Sequence, residues 1–196
     1  LFTDARFQPD QLKFYPTIVT RGSLLYKWWK AGKYKPYSDK VLQNLIVECK
    51  KIVPPYVRII RLIRDIPDES IIAGNRITNL RQVMKARGVK CKCIRCREAK
   101  EKLEVRSKKL KIIKYKASGG IEYFLSYESK DGKVLYGFCR LRLENTTPLT
   151  PLVRGAAMIR ELHVYGELVP VGKNKKIQHA GLGKGLMREA EKIARQ

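Results

Sequence analysis

The feature that most constrains the fold is a series of predicted strands in the second half of the chain, two of which are joined by one tight turn. The turn is Lys130-Asp131-Gly132-Lys133, where an Asp-Gly pair tolerates the positive φ angles of a hairpin. Strand patterns lie at 110–116, 121–127, 134–143 and 156–165. Consecutive strands of this kind predict a mixed α/β domain built around a central sheet.

The C-terminal segment predicts a glycine-rich entry into an amphipathic helix. Gln178-x-x-Gly181-x-Gly183 precedes the helix, and Gly185 follows. A helix N-terminus leaves backbone N–H groups free and carries partial positive charge, and glycines let a pyrophosphate approach closely. The spacing matches neither a dinucleotide fingerprint nor a P-loop. A helix start that binds no ligand therefore remains an alternative interpretation at this point. The apolar face of the helix consists of Leu182, Leu186, Met187, Ala190, Ile193 and Ala194.

The first half alternates helix and strand patterns. A short strand is predicted at 17–20 and a short helix around 24–29, and Ser38 is the expected N-cap of a longer helix that Pro54-Pro55 ends. A strand at 57–64 follows, and Asn79 is expected to cap a basic helix that ends at Gly88. This order is typical of layered α/β folds with parallel strands.

The charge of the chain indicates a polyanionic partner. The formal net charge is +24, and residues 81–116 hold 15 lysines and arginines against 3 glutamates. Such a concentrated field attracts nucleic acid, although charge alone does not separate folded RNA from DNA. No run is long and apolar enough for a membrane span, so we expect a cytoplasmic protein with no membrane contact. The predicted RNA contacts are Arg81, Lys85, Arg87, Lys90, Lys92, Arg95 and Arg97.

Three of the five cysteines form the cluster Cys91-x-Cys93-x-x-Cys96. Thiolates this close converge on one zinc ion more readily than they pair in disulfides, which also favours a reducing compartment. A structural zinc site requires four ligands, and Cys49, Cys139, His163, His179 or a group outside the chain remain open as the fourth. Three free thiols in a basic loop are the alternative.

Several longer motifs resemble the family of the Elongator catalytic subunit. They are Pro9-Asp10-x-Leu12-Lys13-x-Tyr15-Pro16-Thr17, the run from Ile159 to Gly166, and Gln178-His179-x-Gly181-x-Gly183. Arg64-Asp65-Ile66-Pro67 and the cysteine cluster also resemble it. Members combine a radical-SAM barrel with a GNAT-type acetyltransferase domain and modify the wobble uridine of tRNA. The resemblance implies part of the barrel at 1–75, a basic zinc-binding connector at 76–108 and an acetyltransferase domain at 109–196.

The resemblance also implies cofactors and sites. Acetyl-CoA would supply the group that becomes a carboxymethyl-type uridine, and S-adenosylmethionine with a 4Fe-4S cluster would supply the radical. We expect the cluster cysteines and the last acetyltransferase strands outside this chain, which alone would be weakly active or inactive. Glu161 and His163, on one face of a strand, are candidate catalytic residues, and a structural role for both stays open. The implied acetyl-CoA contacts are Glu161, Leu162, His163, Val164, Gln178, His179, Gly181, Leu182, Gly183, Lys184 and Gly185.

Two other functions remain as alternatives. One is a non-catalytic zinc and RNA-binding module with a GNAT-like scaffold. The other is a protein lysine acetyltransferase, which the charge disfavours because a +24 chain repels basic tails. Whether the partners besides tRNA include a second copy of the chain or accessory subunits also stays open.

Overall fold

A computed structural model describes residues 1–100, 107–144, 156–166 and 181–196. The chain divides into two compact units. The parallel-strand unit is Asp10–Cys93, and the sheet unit combines Leu1–Pro9 with Ile94–Gln196. The division falls inside the segment predicted as a connector.

The parallel-strand unit contains two short strands and three helices. Strand β1 (Gln11–Lys13) pairs in parallel with β2 (Arg58–Arg61), and between them lie helix α1 (Leu24–Lys30) and helix α2 (Asp39–Ile52). A 3₁₀ turn at Asp68–Ser70 and helix α3 (Leu80–Ala86) follow. The predicted order of helix, strand and parallel pairing is confirmed. The core of this unit contains Val19, Leu42, Ile46, Val57, Ile59, Leu80 and Met84.

Local signals explain where these helices begin and end. The Ser38 hydroxyl accepts a hydrogen bond from the Val41 amide at 3.4 Å, and α2 stops just before Pro54, as predicted. Asn79 precedes α3 without a side-chain cap bond, and Gly88 ends it at φ +67°. The strand predicted at 17–20 is wrong. Only Val19 pairs there, in an isolated bridge to Ala73, because four residues offer too little pattern to outweigh tertiary pairing.

The sheet unit contains a four-stranded antiparallel sheet within its described residues. A short helix α4 (Ile94–Arg97) precedes it, and the strands are β3 (Lys109–Ala117), β4 (Gly120–Glu128), β5 (Leu135–Glu144) and β6 (Ala157–Val164). Each strand pairs with the next in sequence. Gly132 has φ +70°, and its amide donates to the Ser129 carbonyl at 2.9 Å. The predicted strands and hairpin are therefore confirmed.

Helix α5 (Leu182–Ala194) covers one side of this sheet. Leu186 and Ala190 pack there with Leu125, Cys139 and Leu141, and we call this side the helix face. The opposite side, the ionic face, carries charged and aromatic residues that are buried along the central strands β4 and β5. Its buried members are Glu122, Phe124, Ser126, Glu128, Phe138, Arg140 and Arg142.

Among the described residues no helix combines the length and the apolar character that crossing a membrane requires.

Candidate functional site

Strand β6 carries four of the predicted acetyl-CoA contacts, Glu161–Val164. It pairs with β5 on one side, and within the described residues it is the last strand of the sheet. Backbone groups along such an edge are available for an extended ligand. Leu162 is 42% exposed and Ile159 is 37% exposed, so the edge also offers apolar surface.

The start of α5 lies beside the end of β6. A Cβ built on Gly183 would stand 3.7 Å from Cγ2 of Val164, an ordinary contact distance. Gly181 adopts φ +71° as the residue before the helix, a conformation that favours glycine. Leu182 is buried, while Lys184 is exposed. The structure therefore brings the predicted strand edge and helix N-terminus together.

Gly185 has a structural explanation of its own. A Cβ at this position would lie 2.7 Å from the hydroxyl oxygen of Tyr127, so the tyrosine ring reaches the first turn of α5 only because residue 185 lacks a side chain. Gln178 and His179, the remaining predicted contacts, lie outside the described residues.

Glu161 and His163 both contact residues of the ionic face. The Glu161 carboxylate accepts a 2.9 Å bond from Nε of Arg140. The His163 ring lies 6.1 Å from the Phe138 ring and 4.4 Å from the Tyr165 ring. The Arg140 guanidinium therefore ties the Glu161 carboxylate of β6 to strand β5. His163 remains exposed.

Sequence reasoning missed the charged residues that support this strand. Arg140, Arg142 and Glu144 alternate with Cys139, Leu141 and Leu143 along β5. That alternation is itself the signal, since charged side chains at every second position of a strand indicate a second, chemically different face. Arg142 donates to Glu144 and to Glu122, at 2.6 and 2.9 Å. These carboxylates raise the pKa of Arg142.

The three clustered cysteines have their sulfur atoms within 4.8 Å of one another. Cys93 is fully buried, Cys91 is partly buried and Cys96 is exposed. Tetrahedral zinc with bonds of about 2.3 Å would bring sulfurs to about 3.8 Å, so the cluster needs only a small contraction. Of the described candidates for the fourth ligand, Cys49, Cys139 and His163 do not join the group. Burial raises the pKa of the Cys139 thiol to about 11, which also disfavours a ligand role.

The predicted RNA contacts differ in their surroundings. Arg97 is buried, and its guanidinium pairs with Glu128 at 2.8 Å. Arg81 donates to the carbonyl of Ile59 at 2.8 Å. Arg95 pairs with Glu98 and Arg87 with Gln43, both at the surface. Lys85, Lys90 and Lys92 are exposed.

Comparison with known proteins tests the predicted resemblance. Residues 9–88 match the Radical_SAM C-terminal domain. The whole chain is 44% identical to the tRNA uridine(34) acetyltransferase of Dehalococcoides mccartyi, of which it covers 45%. It is 42% identical to human Elongator complex protein 3, of which it covers 38%. The chain is therefore similar over its whole length to part of these Elongator complex protein 3 relatives. It spans less than half the length of these curated relatives.

A solved member of the Elongator complex protein 3 family has the same fold. The archaeal Elp3 of Methanocaldococcus infernus, with an N-terminal deletion, superposes with a TM-score of 0.85 at 36% identity. The match covers 99% of this chain and 49% of the archaeal one. The predicted resemblance, the mixed α/β class and the match of residues 9–88 to a radical-SAM domain are therefore confirmed. The bounds of the three predicted domains and the individual site residues stay predictions.

Proposed function

We propose that this chain is the part of a tRNA uridine(34) acetyltransferase that binds acetyl-CoA and that also carries a basic, zinc-binding segment. The observation that carries the proposal is the meeting of the β6 edge with the start of α5, supported by relatives named for this activity. We further propose that tRNA is the substrate and that the modified base is a carboxymethyl-type uridine.

The chain's own residues suggest how acetyl-CoA would be held. The amides and carbonyls of Glu161–Val164 would pair with the amide groups of the pantetheine arm, as an added strand pairs with a sheet edge. Exposed Leu162 would shield the apolar part of the arm. The first amides of α5, from Leu182 to Gly185, would receive the pyrophosphate, and Lys184 would add a cation.

The same surface suggests a limited catalytic role for this chain. Glu161 is engaged by Arg140, so His163 is the better candidate for handling a proton near the acyl group. Radical chemistry in this family requires S-adenosylmethionine and a 4Fe-4S cluster, and we assign neither to a residue of this chain.

We assign the cysteine cluster to zinc, with Cys91, Cys93 and Cys96 as three of its ligands. Zinc bound by these thiolates would stabilise the local fold of residues 91–96. Elemental analysis of the purified protein should find zinc, and Cys96→Ser should lose it while Cys49→Ser keeps it. Protein without metal, or equal retention in both variants, would contradict the assignment.

We propose that Lys85, Lys90 and Lys92 contact tRNA phosphates, and we leave the buried Arg97 out of this surface. Replacing Lys90 and Lys92 by neutral residues should weaken binding to tRNAs of different sequence by the same factor. It should also make the tRNA affinity less dependent on salt concentration. Lys30→Gln on α1 is the matched control, since Lys30 is exposed but outside the predicted surface.

Turnover of acetyl-CoA by the full-length gene product, measured with and without tRNA, tests the function. Stimulation by tRNA is the expected result. Tight tRNA binding without turnover would instead support a non-catalytic RNA-binding module. Turnover driven by a lysine peptide but not by tRNA would support a protein acetyltransferase.

A further inference from the structure

Two consecutive residues of β6, Arg160 and Glu161, reach the same face of the sheet. In a regular strand neighbouring side chains point to opposite faces. Here Glu161 lies opposite Arg140 while Ile159 lies opposite Leu141, so Arg160 is an extra residue in the ladder. This is a β-bulge, which places two residues opposite one and bends the strand.

Two ion pairs hold the two bulge residues, and β6 supplies the cation of one pair and the anion of the other. Arg160 donates to Glu122 of β4 through Nη2 at 2.8 Å and through Nε at 3.1 Å. Glu161 accepts from Arg140 of β5 at 2.9 Å. Glu122 and Arg140 are 2% and 1% exposed, so both pairs draw on charges that are withdrawn from water. Such pairs hold their residues in a defined geometry, because displacement of one partner would leave a buried charge unpaired.

The supporting residues are themselves fixed. The Arg140 guanidinium lies over the rings of Phe124 and Phe138, 5.3 Å from each centroid. Glu122 also accepts from Arg142 at 2.9 Å, and Arg142 in turn donates to the carbonyls of Ala117 and Ser118. The two anchors are therefore tied to the β3–β4 turn and to the centre of the sheet.

The bulge immediately precedes the strand edge at which we place acetyl-CoA. Because a bulge changes the twist and aim of every following residue, its geometry sets where the backbone groups of Glu161–Val164 point. The inference therefore rests on the proposed function. We propose that Glu122 and Arg140 are positioning residues for acyl-CoA binding, acting through the two ion pairs that lock the bulge at Arg160.

Three variants of the full-length protein test this role. Glu122→Gln removes one anchor, and Arg160→Met removes the same pair from the strand side while it leaves Glu122 bonded to Arg142. Glu128→Gln is the matched control. Glu128 lies on the same strand and the same face, is 3% exposed and pairs with a different arginine, Arg97.

Acetyl-CoA affinity and thermal stability are measured for each variant, together with hydrogen exchange of the Glu161–Val164 amides. We expect Glu122→Gln and Arg160→Met to weaken acetyl-CoA binding about tenfold and to speed exchange in this segment. Glu128→Gln should lower the melting temperature without either effect. If Glu122→Gln unfolds the protein, Arg160→Met carries the test alone.

Three other outcomes overturn the inference in distinguishable ways. If the unmodified protein binds acetyl-CoA and Arg160→Met binds it equally well, the positioning role is wrong and the proposed function stands. If all variants and the control lose affinity in proportion to stability, the ion pairs serve the fold only. If the unmodified protein does not bind acetyl-CoA at all, the proposed function fails and this inference fails with it.

Discussion

The two faces of the β3–β6 sheet are both buried along the central strands β4 and β5 but are built from opposite chemistry. The helix face packs hydrocarbon from Leu125, Leu141 and Leu186. The ionic face buries Glu122, Arg140 and Arg142 within one hydrogen-bonded network. A hydrocarbon core tolerates changes of shape at constant volume, whereas a buried ionic network depends on each partner and its direction. The helix face should therefore tolerate changes of side-chain shape, whereas the ionic face should depend on every partner and should set the geometry of the edge strand.

The largest difference should appear at two adjacent residues of β5. Arg142→Met leaves the carboxylates of Glu122 and Glu144 without this donor, and we expect it to lower the free energy of unfolding by about 3–5 kcal/mol. Leu141→Met on the other face conserves volume and should cost less than about 1.5 kcal/mol. Denaturant unfolding of both variants measures the contrast. Equal losses of unfolding free energy in the two variants would show that the two faces respond alike.

Truncating an apolar side chain of the helix face should destabilise the protein as much as it does in any apolar core. Leu141 is 1% exposed, and Leu141→Ala removes its contacts with α5 and leaves a cavity. We expect a loss of about 3 kcal/mol in unfolding free energy, with acetyl-CoA affinity unchanged while the protein remains folded. A selective loss of affinity would place the control of the β6 edge on the helix face instead.

A smaller effect should separate two glycines of α5. Gly185→Ala meets the Tyr127 hydroxyl oxygen at 2.7 Å and should cost about 1–3 kcal/mol in stability. Gly183→Ala has room and gains helix propensity, so stability should rise by up to about 1 kcal/mol. If Gly183 borders the pyrophosphate, the same change should weaken acetyl-CoA binding. Thermal melts with and without acetyl-CoA separate the two effects.

The smallest effect is a pH dependence on the helix face. Burial raises the pKa of the Cys139 thiol from its ordinary value near 9 to about 11. A raised pKa means that the stabilising contribution is complete below pH 9 and is lost as pH rises towards 11. The unmodified protein should therefore lose stability between pH 9 and pH 11, whereas Cys139→Ala lacks the thiol and should not show this loss. The difference in free energy of unfolding between the two proteins should become smaller across this range. A gap that stays constant would show that Cys139 does not titrate there.

The sequence predicts most of the sheet unit because its signals are strong and local. Period-2 alternation, the Asp131-Gly132 turn and the apolar stripe from Leu182 to Ala194 each determine one element. The short strand β1 and the bulge at Arg160 have no comparable signal. Both depend on which residue of a distant strand lies opposite, and that register is a tertiary property.

The candidate site is predictable only in part for the same reason. The glycine pattern predicts the start of α5, and the resemblance names the β6 residues beside it. The roles of Glu161 and Arg97 depend on partners 21 and 31 residues away in sequence, Arg140 and Glu128. Charge density alone gives no way to distinguish a buried arginine from one that binds phosphate.

Hydrogen exchange of the full-length gene product with and without acetyl-CoA tests the central claim most directly. We predict protection of the amides of Glu161–Val164 and of the first turn of α5, from Leu182 to Gly185, because these groups would bond to the pantetheine arm and the pyrophosphate. Binding of acetyl-CoA with protection elsewhere, and none in these two segments, would contradict the account.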